Sequence, residues 1–173
     1  MDRIGLDRNE FEAKKAEIAQ SYEDNRNASC ERGTAIHAEF ENAFYDGDKK
    51  VIKSFGLGGD LPVFKGNYQL DLQRGIYPEY LLSYRIGDFL MCGQIDLLSV
   101  FDNQIVIGDH KTNKEIKRKS FYNKQTKTSV KMKYPLNNLD DCDYWHYALQ
   151  LSTYAWMIQQ RNPKYEVHRL FLH

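Results

Sequence analysis

The sequence predicts an α/β fold: a central mixed β-sheet with helices on both faces. Three observations carry that prediction. Helical spacing marks the first third and returns after residue 140; three β-prone runs joined by two-residue turns fill the middle; an alternating run follows the last helix. At ~100–200 residues per domain, 173 residues read as one domain spanning 1–173. A hydrophobic content of 42% is enough for a core.

In chain order, Phe11–Tyr22 is a charged amphipathic stretch. The polar residues Asn25–Ser29 offer a break and N-cap side chains, so a second helix is expected from about Cys30 to Tyr45. Ile36, Phe40 and Phe44, each four apart, mark its apolar side. Asp46-Gly47-Asp48 stops it. Gly56, Gly58, Gly59, Gly66 and Pro62 make residues 54–67 a loop with an uncertain short element. Tyr77–Ile86, Phe89–Phe101 and Gln104–Lys111 then read as a three-stranded antiparallel meander, turning at Gly87-Asp88 and Asp102-Asn103. A basic loop or disordered arm covers about 112–134. A helix from Asp141 to about Asn162, capped by Asp140 or Asp141 and closed by Pro163, precedes a last strand at Tyr165–Leu172.

The 24 basic residues cancel the 24 acidic ones, which excludes a uniformly basic DNA-coating protein and a highly charged disordered chain. No apolar run approaches the ~18–20 residues of a membrane span, and the opening MDRIGLDRNE lacks the apolar core of a secretory signal. Cys30, Cys92 and Cys142 are odd in number and scattered, so neither a disulfide framework nor a CxxC metal site is suggested. A soluble protein of a reducing, cytoplasmic compartment is expected.

Glu79, Asp96 and Asp109 each fall inside an apolar strand. An ionised carboxylate is costly there, by several kcal/mol, unless it is paired or binds metal. A period of two puts Asp109 and Lys111 on one face and His110 on the other. With Asp102-Asn103 as the turn, Asp96 and Asp109 fall nearly opposite each other. Two carboxylates and an ammonium at one sheet end suit an oxygen-ligated Mg²⁺ or Mn²⁺. Such an ion polarises a phosphoryl oxygen and acidifies a bound water; Lys111 can orient or deprotonate that water, or offset transition-state charge.

Five segments resemble the PD-(D/E)XK nuclease superfamily, in its RecB-like exonuclease branch with lambda exonuclease-like relatives. They are Gly33-Thr-Ala-Ile-His37, Pro78-Glu79, Gly93-Gln-Ile-Asp96, Asp109-His-Lys111 and Gln150-Leu-Ser-Thr-Tyr154, in the family's order across residues 33–154. The resemblance implies a restriction-endonuclease-like αβββαβ core preceded by an N-terminal helix. It makes Asp96, Asp109, His37 and the His110 carbonyl metal ligands, Lys111 the catalytic lysine, and Glu79 an acid at or just behind the metal. Gln150 and Tyr154 match the QxxxY motif that positions the site and contacts nucleic acid; four residues apart, they share a helical face. The middle residue of the D-x-K segment, commonly aromatic in this branch, is histidine here. Three scattered cysteines lead to no expectation of the iron–sulfur cluster of some relatives. No GxxxxGK[ST] run is present, so any ATP-driven unwinding falls to a partner. His146, His168 and His173 have no partner evident from sequence.

Residues 111–133 hold nine lysines and arginines against the single acid Glu115. The arm suits a phosphate backbone through Lys114, Lys117, Arg118 and Lys119, with Phe121, Tyr122 or Tyr134 stacking on bases. DNA rather than RNA follows from the resemblance. The expectation is a metal-dependent DNA exonuclease of recombination, repair or phage DNA processing, in a bacterial cell or phage-infected host. A helicase, recombinase or single-strand-binding protein, or a second copy of the chain, would be its partner. A nucleic-acid-binding or assembly module without chemistry, and a restriction-type endonuclease, are the alternatives.

Overall fold

The computed structural model describes residues 7–57, 60–66 and 71–173. The chain forms two units, residues 1–39 and 40–173, and the division falls inside the first helix.

That helix, α1 (Arg8–Tyr45), is a single helix where the sequence suggested two. The polar residues Asn25–Ser29 continue it because no proline or glycine interrupts 8–32, and the modest propensity losses of Asn and Ser do not end a helix by themselves. Side-chain pairs one turn apart give small support: Lys14 to Glu17, Gln20 to Asp24 and Arg26 to Glu23. At its start, Asp7 Oδ1 accepts from the Asn9 and Glu10 amides, and Glu10 Oε2 accepts from the Asp7 amide, a reciprocal cap. In the first unit, residues 7–32 are all exposed.

The second unit begins with the last turns of α1. Gly47, at φ 72°, turns the chain, and Asp48 Oδ1 accepts from the Lys50 and Val51 amides to start α2 (Lys49–Ser54). The sequence reading did not anticipate α2: Asp48, read as a stop, is its N-cap. Gly58 and Gly59 lie outside the described residues.

The meander follows as expected, with β1 (Gly75–Ile86), β2 (Phe89–Phe101) and β3 (Gln104–Asp109) antiparallel in turn. The basic arm contains a small hairpin, β4 (Tyr122–Asn123) with β5 (Thr128–Ser129), rather than being structureless. Helix α3 (Asp143–Arg161) is capped at Cys142, not at Asp140 or Asp141. Asp141 instead pairs with His146 Nε2 at 2.7 Å. Strand β6 (Glu166–Leu172) runs parallel to β3, giving the mixed order β1-β2-β3-β6.

Two buried clusters flank the sheet. Leu151, Ala155, Met157 and Ile158 of α3 pack with Tyr80, Leu82, Ile95, Leu98, Ile105 and Ile107. On the other side, Phe44 of α1 packs with Phe55, Leu57, Ile76 and Leu97, joined by Phe40, Val51 and Ile52.

Candidate functional site

The strand ladders bring the three predicted carboxylates into one row. Pro78 pairs with Leu97 and Tyr80 with Ile95, so Glu79 and Asp96 face each other across a skipped step. Leu97 pairs with Gly108, and the next step sets Asp96 beside Asp109. The apolar alternation changes phase at this row. Ile76 and Tyr80 are four apart and Ile95 and Leu97 two apart, so each pair would share a face in a regular strand, yet its members lie in opposite clusters. The local cause is Glu79, whose φ of 48° is left-handed. Such a conformation stores about 1–3 kcal/mol for a residue with a side chain, and it is found where a site requires it.

Around the row, Gln94 Nε2 donates to Glu79 Oε2 at 2.8 Å, and Asp96 Oδ2 accepts from the His110 amide at 2.6 Å. One carboxylate oxygen of Glu79 and one of Asp96 lie within 4.8 Å of each other. Two anions this close repel unless a cation or proton offsets them. Asp109 is 2% exposed. Its Oδ2 has no aligned hydrogen bond and faces the Lys111 ammonium at 2.6 Å, an ion pair by charge rather than by hydrogen-bond geometry. The Glu79 and Asp96 carboxylates are oxygen donors of the kind a hard divalent cation takes, and Asp109 stands on the neighbouring strand.

Lys111 is held on a second side. Its Nζ lies 4.5 Å from the centre of the Tyr147 ring on α3, and the Tyr147 hydroxyl donates to Asn113 Oδ1 at 3.1 Å. The Lys111 amide donates to the His173 carbonyl, and the His173 amide to the Asp109 carbonyl, so β6 fixes the end of the D-x-K segment. His110 turns the other way, as the period of two predicted: its ring is 4.2 Å from that of Phe40. Its Nδ1 is 3.1 Å from Nδ1 of His173, which stacks on Phe55 at 4.3 Å. His37 is half-buried on α1, in the first unit.

Gln150 Nε2 donates to the Tyr154 hydroxyl at 2.9 Å, so the two share a helical face as expected. The Tyr154 ring lies on Gly93, where a Cβ would come within 2.3 Å of Tyr154 Cε1. The start of the arm is anchored on α3. The Tyr144 amide donates to the Lys117 carbonyl at 3.0 Å, the Lys117 amide to Asp143 Oδ2 at 3.3 Å, and the Arg118 guanidinium lies 5.2 Å from the Tyr144 ring centre. Lys114 and Lys119 are exposed, as are Phe121, Tyr122 and Tyr134 further along.

Sequence reasoning missed several residues. Gln94 sits inside the Gly93–Asp96 segment, and Tyr147 stands three residues before Gln150, a helical spacing that could have flagged it. At the end of α1, the Tyr45 hydroxyl donates to Glu41 Oε1 at 3.0 Å. Burial first, then that hydrogen bond and the charges of Glu41 and Glu79, push the Tyr45 phenol up from 10.0 to about 12. A raised folded value favours the neutral phenol, so its contribution to stability is whole below pH 10 and is lost as pH rises through about 12. A phenolate absorbance titration of wild type minus Tyr45→Phe should show one tyrosine ionising near that upper value, and Glu41→Gln should move it down. Ionisation near 10 in the wild type would refute the buried phenol, and a value unmoved by Glu41→Gln would refute the Glu41 contact.

What the fold and this row define is a class: an α/β protein with a mixed four-stranded sheet, carrying carboxylates of three strands beside a paired lysine. Compared with known protein families, curated proteins and solved structures, the chain matches none. Among the described residues, no helix is long and apolar enough to cross a membrane.

Proposed function

We propose that the chain is a divalent-metal-dependent deoxyribonuclease of the PD-(D/E)XK type with a restriction-endonuclease-like core, acting as an exonuclease in DNA recombination, repair or phage DNA processing. The observation that carries this reading is the Glu79–Asp96–Asp109 row with Lys111 against Asp109. In this reading Asp96, Asp109 and the His110 carbonyl hold Mg²⁺ or Mn²⁺, with Glu79 beside them; His37 is a ligand only as the resemblance implies. His37 stands one helical turn before Glu41 on α1. When bound, the ion polarises a phosphoryl oxygen and lowers the pKa of a coordinated water.

Lys111, fixed between a carboxylate and an aromatic face, provides a cation where phosphoryl charge develops and a group that orients the attacking water. Gln94 keeps Glu79 turned toward the row. Gln150 and Tyr154 brace β2 against α3, and Lys114, Lys117, Arg118, Lys119 and Tyr122 meet the DNA strand. The same reading places the protein in the cytoplasm, with a helicase, recombinase, single-strand-binding protein or second copy as partner.

The test is digestion of end-labelled linear DNA, single- and double-stranded, beside circular DNA, with Mg²⁺, Mn²⁺ or EDTA. Metal-dependent loss of label from linear substrates alone is the expected result. Cutting of circles would make it an endonuclease. No cleavage with either metal would leave the binding module. Asp109→Ala should lose both cleavage and Mn²⁺ binding, read by calorimetry; wild-type rates in that variant would sink the site assignment.

A further inference from the structure

Beside the row, a groove of about 550 Å³ lies between α3, β6 and the start of the basic arm. That volume falls in the ~300–1,000 Å³ range of small-molecule sites. Ile116, Ala148, Leu151, Leu170 and Leu172 give it apolar walls, Tyr144 an aromatic one, and Arg118 and Ser152 a polar rim. Leu172 is the ladder partner of Asp109, so the groove opens one strand away from that carboxylate, or ~4.8 Å in strand spacing. We propose that this groove takes an unpaired nucleobase of a DNA strand, the one next to the phosphate being cut.

The inference rests on the nuclease reading and adds a subsite to it. The chemistry of the walls selects the occupant. An apolar cleft with an aromatic ring in its wall accepts any base by stacking, whatever its sequence, and an arginine beside the ring adds a cation–π contact. Arg118 is already placed over Tyr144, because the Lys117 backbone bonds to Tyr144 and Asp143. The phosphates on either side of that base need cations, and the same arm carries nine between 111 and 133 with one acid. A purely apolar ligand has no use for that charge, and a bare polyanion has no use for the leucine walls. A nucleotide uses both.

Binding measured in EDTA separates this inference from catalysis. Fluorescence anisotropy would compare a short oligo-dT with an abasic oligonucleotide of equal length, which keeps the phosphates and lacks the bases. Wild type should bind oligo-dT about tenfold more tightly. Ser152→Trp, placed on the exposed rim to fill the groove, should erase that preference while keeping abasic affinity. Arg118→Ala should weaken both. A 5-iodouracil oligonucleotide should photo-crosslink to Tyr144 in the unmodified protein, a readout independent of any variant's folding. Equal affinity for the two oligonucleotides, a base preference surviving Ser152→Trp in folded protein, or a crosslink mapped elsewhere would each overturn the subsite. Base preference without metal-dependent cleavage would keep the groove and sink the nuclease reading; cleavage without base preference would do the reverse.

Discussion

On the proposed nuclease reading, Lys111→Ala is expected to abolish metal-dependent cleavage in the end-label digest, with a loss of at least ~10²–10³-fold. That is the usual effect of removing one preorganised group from the site of developing charge. The same substitution leaves Asp109 as a buried carboxylate without its cation, since the carboxylate is 2% exposed and Lys111 is its ion-pair partner. Breaking a buried pair on one side destabilises by about 3–5 kcal/mol. The variant should therefore melt below wild type in EDTA and, on the proposed metal site, recover part of the difference when Mg²⁺ is added, because a bound metal would take over the carboxylate. Retained cleavage would remove Lys111 from the mechanism. An unchanged melt in EDTA would mean that Asp109 is solvated or protonated rather than paired.

Gly93→Ala should have a large structural effect at the site. The new Cβ would sit 2.3 Å from Tyr154 Cε1, closer than any real contact, so the ring or the strand must move. Overpacking of this kind costs about 1–3 kcal/mol, and at this chain length each kcal/mol lowers Tm by about 2–4 °C. The shift would also break the Gln150–Tyr154 hydrogen bond. Calorimetry of Gly93→Ala, Tyr154→Leu and the double variant checks it. The double should lose less than the sum of the singles, because the smaller side chain relieves the clash. An additive result would place Tyr154 away from Gly93.

Much of this was legible in the chain. Strand limits at Phe89–Phe101, the turn at Asp102-Asn103 and the side-chain alternation of Asp109, His110 and Lys111 follow from a period of two and turn chemistry. Other features were not. Asn25–Ser29 looks like a break only if local capping wins, and here the exposed helix continues through it. The N-cap of α3 fell on Cys142 because Asp141 is engaged by His146.

By itself, the sequence determined the α/β class, the antiparallel meander, the closing helix and strand, and the carboxylates on three consecutive strands. These depend on spacing along the chain and on local backbone preference. Only the tertiary structure decided the left-handed Glu79, the change of apolar phase at the row, Tyr147 beneath Lys111 and the fit of Tyr154 on Gly93. The last two join residues far apart in sequence, with a geometry set by how α3 and the sheet pack; the first two arise at one strained residue that no periodicity announces.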